Sequence, residues 1–160
     1  MKRIHPIIKE PDPVLRGTAK EVPKSDLGTP QLHTLVEEMV ETMHHASGVG
    51  LAAPQIGMPK RIIIVAPPDE DPIAVVNPEI SGRSVRRTTS EEGCLSVPGT
   101  WGIVRRNTGL TVKGLTPEGK PFRKTVTGFE AIIFQHEVDH LNGILFIDKA
   151  ADVQKLGLRP

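Results

Sequence analysis

Phe134-Gln135-His136-Glu137-Val138-Asp139-His140 is the stretch that decides the reading of this chain, because two histidines stand four residues apart with a glutamate directly after the first. On an α-helix, positions i and i+4 lie one above the other on the same face. Two imidazoles so placed can hold one metal ion, and the carboxylate of Glu137 can reach a water beside it. The helix around the motif is also legible. Thr127-Gly128-Phe129-Glu130 reads as a capping box at its start, and Asn142-Gly143 reads as its stop. Between them Phe129, Ala131, Ile132, Ile133, Phe134, Val138 and Leu141 wrap nearly all round, which predicts a buried helix. The polar groups of His136, Glu137 and His140 inside it need partners, and a cation with its water supplies them. Asp139 is read as solvated, or as support behind a ligand, rather than as a ligand itself.

Hydrolytic metal sites use three protein ligands and leave one position open. Only 20 residues follow His140; they contain no His, Cys or Glu, and Asp148 and Asp152 are their acidic candidates. The third ligand is therefore expected upstream, where Cys94 is the one cysteine. A lone cysteine is more often a small buried core residue. This one lies in Glu91-Glu92-Gly93-Cys94-Leu95-Ser96-Val97-Pro98-Gly99, a polar, glycine-punctuated segment, and a thiolate there suits iron, zinc, cobalt or nickel.

The rest of the chain is consistent with a small enzyme. At 160 residues it is expected to form one domain, 1–160, with a real core. Its 20 basic and 19 acidic residues nearly balance, so no direct nucleic-acid or membrane binding is expected. One cysteine excludes an internal disulfide framework and fits a reducing compartment. Met1-Lys2-Arg3-Ile4-His5-Pro6 lacks a secretion-signal pattern, and no apolar run reaches spanning length. A bacterial-type cytoplasm is the expected location, with an organelle enzyme that has lost its transit peptide as the alternative.

Thr29-Pro30 reads as an N-cap and first helical position, and Leu32, Leu35, Val36, Met39, Val40 and Met43 continue a helix to about Ala46. Met39 and Met43 are assigned to the core, and His44-His45 to the surface or helix end. Arg61 to Ala66, Ile73 to Val76, the Leu110–Val112–Leu115 segment and Phe122 to Val126 read as strands, with a hairpin turn at Thr116 to Lys120. The expected class is α+β, with antiparallel or mixed sheets packed around the buried central helix.

Three segments, in order, resemble the signature motifs of the peptide deformylases: Gly48-Val49-Gly50-Leu51-Ala52-Ala53-Pro54-Gln55, Glu92-Gly93-Cys94-Leu95-Ser96, and the His136–His140 stretch. The resemblance runs from Pro11-Asp12-Pro13-Val14-Leu15-Arg16 to about Asp148. It implies hydrolysis of the formyl group from the N-terminal formyl-methionine of new polypeptides, near the ribosome, with release of formate. It implies Cys94, His136 and His140 as ligands of one divalent ion, Fe²⁺ in the cell, although the ligand set alone also admits Zn²⁺, Ni²⁺ or Co²⁺. Glu137 would serve as general base and acid, and the Gln55 amide with the Leu95 N–H as oxyanion donors. Val49, Gly50, Phe129, Ile132, Ile133 and the His136 ring would line the methionine pocket, although Phe129, Ile132 and Ile133 read equally as core. Gly48 and Gly50 suit close approach of a substrate backbone. Glu92 and Arg106 match positions that pair near the metal; a surface ion pair is the competing reading.

Two features depart from the family pattern. Trp101 stands where many bacterial members carry Arg or Tyr, which bears on substrate preference beyond the first residue. After Phe146-Ile147-Asp148 only a dozen residues remain, ending in Gly157 and Pro160, so a long final helix is not expected. The rival readings are an ordinary endopeptidase with the same two histidines and glutamate, another amide hydrolase, and a silent metal-containing binding module.

Overall fold

The computed structural model describes residues 2–155, so Met1, Gly157 and Pro160 lie outside it. Two 3-10 turns, Pro13–Arg16 and Lys24–Asp26, lead into helix α1, Pro30–His45. Thr29 Oγ1 accepts the Leu32 N–H at 3.3 Å, and Pro30 occupies a position where its missing N–H costs nothing. Met39 and Met43 are fully buried, and His44 and His45 are exposed at the helix end.

Strand β1, Gly50–Ala52, follows, then a 3-10 turn at Ala53–Ile56 and strands β2, Ile62–Val65, and β3, Ile73–Ser81. Strands β4, Arg87–Cys94, and β5, Val97–Asn107, form a hairpin; β6, Gly109–Leu115, and β7, Pro121–Thr127, form another. Helix α2, Gly128–Leu141, carries the two-histidine motif and is followed by the short helix α3, Phe146–Lys149, and strand β8, Ala151–Lys155. The strands make two antiparallel sheets, ordered β1-β2-β3-β6-β7 and β4-β5-β8.

Strand β2 explains how the layers stack. All four of its residues are buried, so both of its faces are covered. Ile63 and Val65 pack with Phe134, Val138 and Leu141 of α2, whereas Ile62 and Ile64 pack with Met39 and Met43 of α1. The sheet thus lies between the helices, and α2 is central. A third cluster, Leu15, Val97, Val104, Leu145 and Phe146, joins the second sheet to α3.

Three features differ from the sequence reading. The capping box is not formed: the Thr127 side chain makes no cap bond, because the chain enters α2 straight from β7 through Gly128 at φ +61°, whose N–H donates to the Thr108 carbonyl. Glu130 pairs instead with Lys124 at 2.7 Å. The β4–β5 hairpin was not foreseen as strands. Strand β8, where Trp101 pairs with Gln154 and Ile103 with Ala151, is the third element that the sequence does not signal. No helix of the described residues is long and apolar enough to cross a membrane.

Candidate active site

Helix α2 sets the rings of His136 and His140 edge to face, with centroids 5.1 Å apart and planes at 67°. Opposite them, the β4–β5 register shifts between Glu92 and Cys94, which turns Cys94 inward at the hairpin's end. Cys94 Sγ lies 3.3 Å from His140 Nε2, and the donor atoms of Cys94, His136 and His140 all fall within 4.8 Å of one another. One thiolate and two imidazoles at such distances are the donor chemistry for a single Fe²⁺, Zn²⁺, Co²⁺ or Ni²⁺ ion.

The surroundings fit a cation as well. His136 Nδ1 lies 2.9 Å from Glu92 Oε1, so with its N–H donated there the ring's Nε2 is left for the cluster. Glu92 takes a bidentate grip from Arg106, Nε to Oε2 at 2.9 Å and Nη2 to Oε1 at 2.8 Å, and Arg106 Nη1 reaches Asp139 at 2.7 Å. Arg106 is only 2% exposed, so this is a buried network rather than a surface pair. Burial alone would raise the Glu92 carboxyl, but hydrogen bonds from Arg106 and His136 bring it down to about 2. For His136, burial works against charge, yet hydrogen bonds to Cys94 and Glu92 and the field of Glu137 push it up to about 10. Burial, then the charges of His136 and Arg106, hold His140 well below 6.5, which keeps it neutral and able to ligate.

Glu137 is 4% exposed, and its Oε2 has no hydrogen-bond partner among the described residues. Burial pushes its carboxyl up to about 7. The carboxylate lies against the backbone of Gly50, where a Cβ would come 2.9 Å from Glu137 Cδ and closer still to Oε1. Gly50 is thus required by Glu137 itself, a reason distinct from close approach of a substrate.

Gln55 is buried on the 3-10 turn after β1. Its Oε1 accepts the Ala52 N–H at 2.9 Å, which aims Nε2 at Ser96 Oγ, 3.1 Å away, and towards Cys94 Sγ at 3.6 Å. Leu95 occupies the hairpin turn between Cys94 and Ser96. Val49, Gly50, Phe129, Ile132, Ile133 and Trp101 line a cleft of about 520 Å³ together with Gln55, Glu92, Cys94, Leu95, His136 and Glu137. Val49, Phe129 and Trp101 form its exposed rim, while Ile133 also belongs to the core. The Trp101 ring lies over Gly93, where a Cβ would meet it at 3.0–3.2 Å.

Several supporting residues escaped the sequence reading. Ser96 is fully buried and orients Gln55. Phe146 stacks on the His136 ring at 6.3 Å between centroids. Gln135 ties α2 to β5 by accepting the Asn107 N–H and donating to its carbonyl. His5 pairs with Glu38 at 2.7 Å and His33 lies 3.9 Å from Glu118, both outside the cluster. Only the Leu95-Ser96 pairing beside Cys94 offered any signal for Ser96; the other contacts depend on distant chain segments.

An apolar cleft that ends on a cysteine sulfur and two imidazoles, beside a buried carboxylate whose Oε2 has no partner among the described residues, defines a metal-dependent hydrolase. Comparison with known proteins narrows the class. The family model described as polypeptide deformylase matches residues 4–156. The chain is 51% identical over 149 residues to the peptide deformylase of Desulforudis audaxviator strain MP104C, covering 93% of this chain and 95% of that protein. It superposes with TM-score 0.91 on a class I type b peptide deformylase from Acinetobacter baumannii solved with Met-Ala-Ser bound, at 41% identity and covering 93% and 99% of the two chains. The peptide deformylase from Thermotoga maritima gives TM-score 0.88 at 40% identity, again covering 93% and 99%. The chain belongs to the polypeptide deformylase family. The activity of that family is hydrolytic removal of the formyl group from nascent peptides.

Proposed function

We propose that this chain deformylates the N-terminal formyl-methionine of nascent polypeptides, with Cys94, His136 and His140 holding one divalent ion and Glu137 moving the proton. The observation that carries the reading is the Glu137 carboxylate: buried, without a hydrogen bond at Oε2, and one residue from a ligand. When bound, a divalent ion at such a site acidifies water and polarises the formyl carbonyl. Glu137 Oε2 accepts a proton from the attacking water and returns it to the leaving nitrogen, so formate and a free amine depart. Gln55 already spends one amide N–H on Ser96 Oγ; the other, with the Leu95 N–H, donates to the oxygen on which charge develops. Glu92, gripped by Arg106, holds His136 in the tautomer that ligates.

The methionine side chain lies between Val49, Gly50, Phe129, Ile132, Ile133 and the His136 ring, which present an apolar wall to an unbranched thioether. Trp101, on the exposed rim, meets the residues that follow. Ferrous iron is the proposed ion in the cell, and residues 1–160 act as one domain in a bacterial-type cytoplasm. The test is formate release from formyl-Met-Ala-Ser by Fe²⁺- or Ni²⁺-loaded protein, with mass spectrometry of the peptide. Formate with an intact Met-Ala-Ser supports the proposal; internal cleavage, or no formate, overturns it.

A further inference from the structure

The two oxyanion donors proposed above belong to different sheets. Gln55 follows β1, an edge strand of the five-stranded sheet, whereas Leu95 and Ser96 form the turn of the β4–β5 hairpin in the other. The N-terminal segment runs between them. Ile8 N–H donates to the Gln55 carbonyl at 2.7 Å, and Glu10 N–H donates to the Ser96 carbonyl at 2.9 Å. Two residues of chain span at most about 7 Å, so this short strap limits how far the two turns can part.

The strap is itself anchored on both sides. His5 is buried; its N–H donates to Thr42 Oγ1 at 3.0 Å and its Nε2 lies 2.7 Å from Glu38 Oε2, which fastens the segment to α1. Ile7 packs on the cluster that holds Met39 and Met43, and Ile8 on the cluster of Leu15, Val97 and Phe146. Beyond the strap, Asp12 Oδ1 accepts the Val14 N–H at 3.0 Å, and Leu15 is fully buried. A ring of bonds is thereby closed, because Gln55 Nε2 also donates to Ser96 Oγ at 3.1 Å. That bond joins two side chains, which can rotate. The strap acts on the backbone of both turns. The Leu95 side chain adds a further tie beside Gly48, where a Cβ would meet its Cδ1 at 3.0 Å.

We infer that Ile8 and Glu10 are positioning residues, whose backbone N–H groups set the separation between the Gln55 amide and the Leu95 N–H. The inference rests on the oxyanion role proposed for those two donors. A donor lowers the barrier only where it is aimed at the oxygen on which charge develops. Donors carried by separate sheets keep that aim only if something fixes their spacing, and a site about 1 Å too loose fails. A misplacement of that size costs on the order of 100-fold in rate. Neither N–H bonds to Cys94, His136 or His140, so the strap acts on the rate of the chemical step and leaves metal content and peptide binding as they are.

The experiment replaces Ile8 by its α-hydroxy acid, which puts an ester oxygen where the N–H stands and keeps the side chain. The same exchange at Glu10 is the second variant, and Ile8→Val, which keeps the N–H, is the control. The measurements are kcat and KM for formyl-Met-Ala-Ser per bound metal ion, and the NMR signals of the Gln55 side-chain amide and the Leu95 N–H in the Zn²⁺-loaded proteins. Each ester variant is expected to lose about 10- to 100-fold in kcat, with KM within about threefold of wild type and full metal content. Both NMR signals shift in the ester variants, and Ile8→Val matches the wild type throughout. The inference is overturned if the ester variants keep their kcat, if KM rises as far as kcat falls, or if the two signals stay where they are. A wild type that releases no formate refutes the deformylase reading instead, and the NMR comparison then decides the role of the strap.

Discussion

Replacing Gly50 with Ala separates the geometry of Glu137 from every other part of the site. The added Cβ would come 2.9 Å from Glu137 Cδ and 3.0 Å from Cγ, and nearer still to Oε1. Carbon atoms in contact rest at about 3.5–4.0 Å, so the carboxylate must retreat by roughly 0.5–1 Å. Gly50 is not among the left-handed glycines, so its backbone accepts Ala, and the lower chain entropy of Ala contributes about 0.4–1 kcal/mol of stability. Crowding costs about 1–3 kcal/mol against that, which leaves a folded protein of slightly lower stability. None of the three heavy atoms nearest that Cβ belongs to Cys94, His136 or His140, so the metal content stays at the wild-type level. A misplacement of about 1 Å at a proton-transfer group costs on the order of 100-fold in rate. The assay is kcat and KM for formyl-Met-Ala-Ser, alongside elemental analysis of the same preparation. A loss confined to kcat at full metal content is the expected result. A near-wild-type kcat, or a change in KM alone, refutes the assignment of Gly50 as the seat of Glu137.

Other consequences follow from the buried network. Because the Glu92 carboxyl is held at about 2 in the fold against 4.5 in its ordinary state, the unfolded chain takes up the proton first as pH falls. Its contribution, about 3 kcal/mol at pH above 4.5, disappears progressively down to about pH 2, and urea unfolding across that window measures it. Arg106→Ala takes the bidentate partner from buried Glu92, leaving it only His136 while Asp139 keeps Lys149, and costs about 3–5 kcal/mol, with metal affinity lower by roughly 10- to 100-fold as the brace on His136 loosens; competition with a chelator reads the second effect. Glu137 must be ionised to accept a proton, and burial raises it to about 7 while a neighbouring cation lowers it. The acid limb of kcat/KM therefore lies below 7 in the loaded enzyme, and a limb above 7 contradicts the assignment. Ser96→Ala frees the Gln55 amide to rotate and lowers kcat with little change in KM, measured by the same formate assay.

The parts of this architecture that the sequence exposes are those fixed by local chemistry. Helix α1 announces itself through Thr29, Pro30 and its apolar spacing, and α2 through its apolar girdle and Asn142-Gly143 stop. Cys94, His136 and His140, singled out by the i, i+4 spacing and by the lone cysteine upstream, lie with their donor atoms within 4.8 Å of one another. What stays hidden is long-range. Strand β4 reads Arg87-Thr88-Thr89-Ser90-Glu91-Glu92-Gly93-Cys94, with a single buried residue, and that residue is the charged Glu92. In β5 the buried face is Thr100, Gly102, Val104 and Arg106, so one apolar side chain stands where an alternating pattern needs four. All five residues of β8 are exposed, which leaves no alternation to find. The capping box at Thr127 fails for the opposite reason: the local pattern is present, but Gly128 bends the chain off β7 and takes the cap geometry with it.

The most direct test of the central claim compares wild type with Glu137→Ala, both loaded anaerobically with Fe²⁺ or Ni²⁺, for formate release from formyl-Met-Ala-Ser at matched metal content. The account predicts that the variant keeps its metal and its fold, and loses about 10²- to 10⁴-fold in rate, the range for a positioned general base. A metal-loaded variant that releases formate as fast as the wild type would show that another group moves the proton, and the role assigned to the buried carboxylate would be wrong.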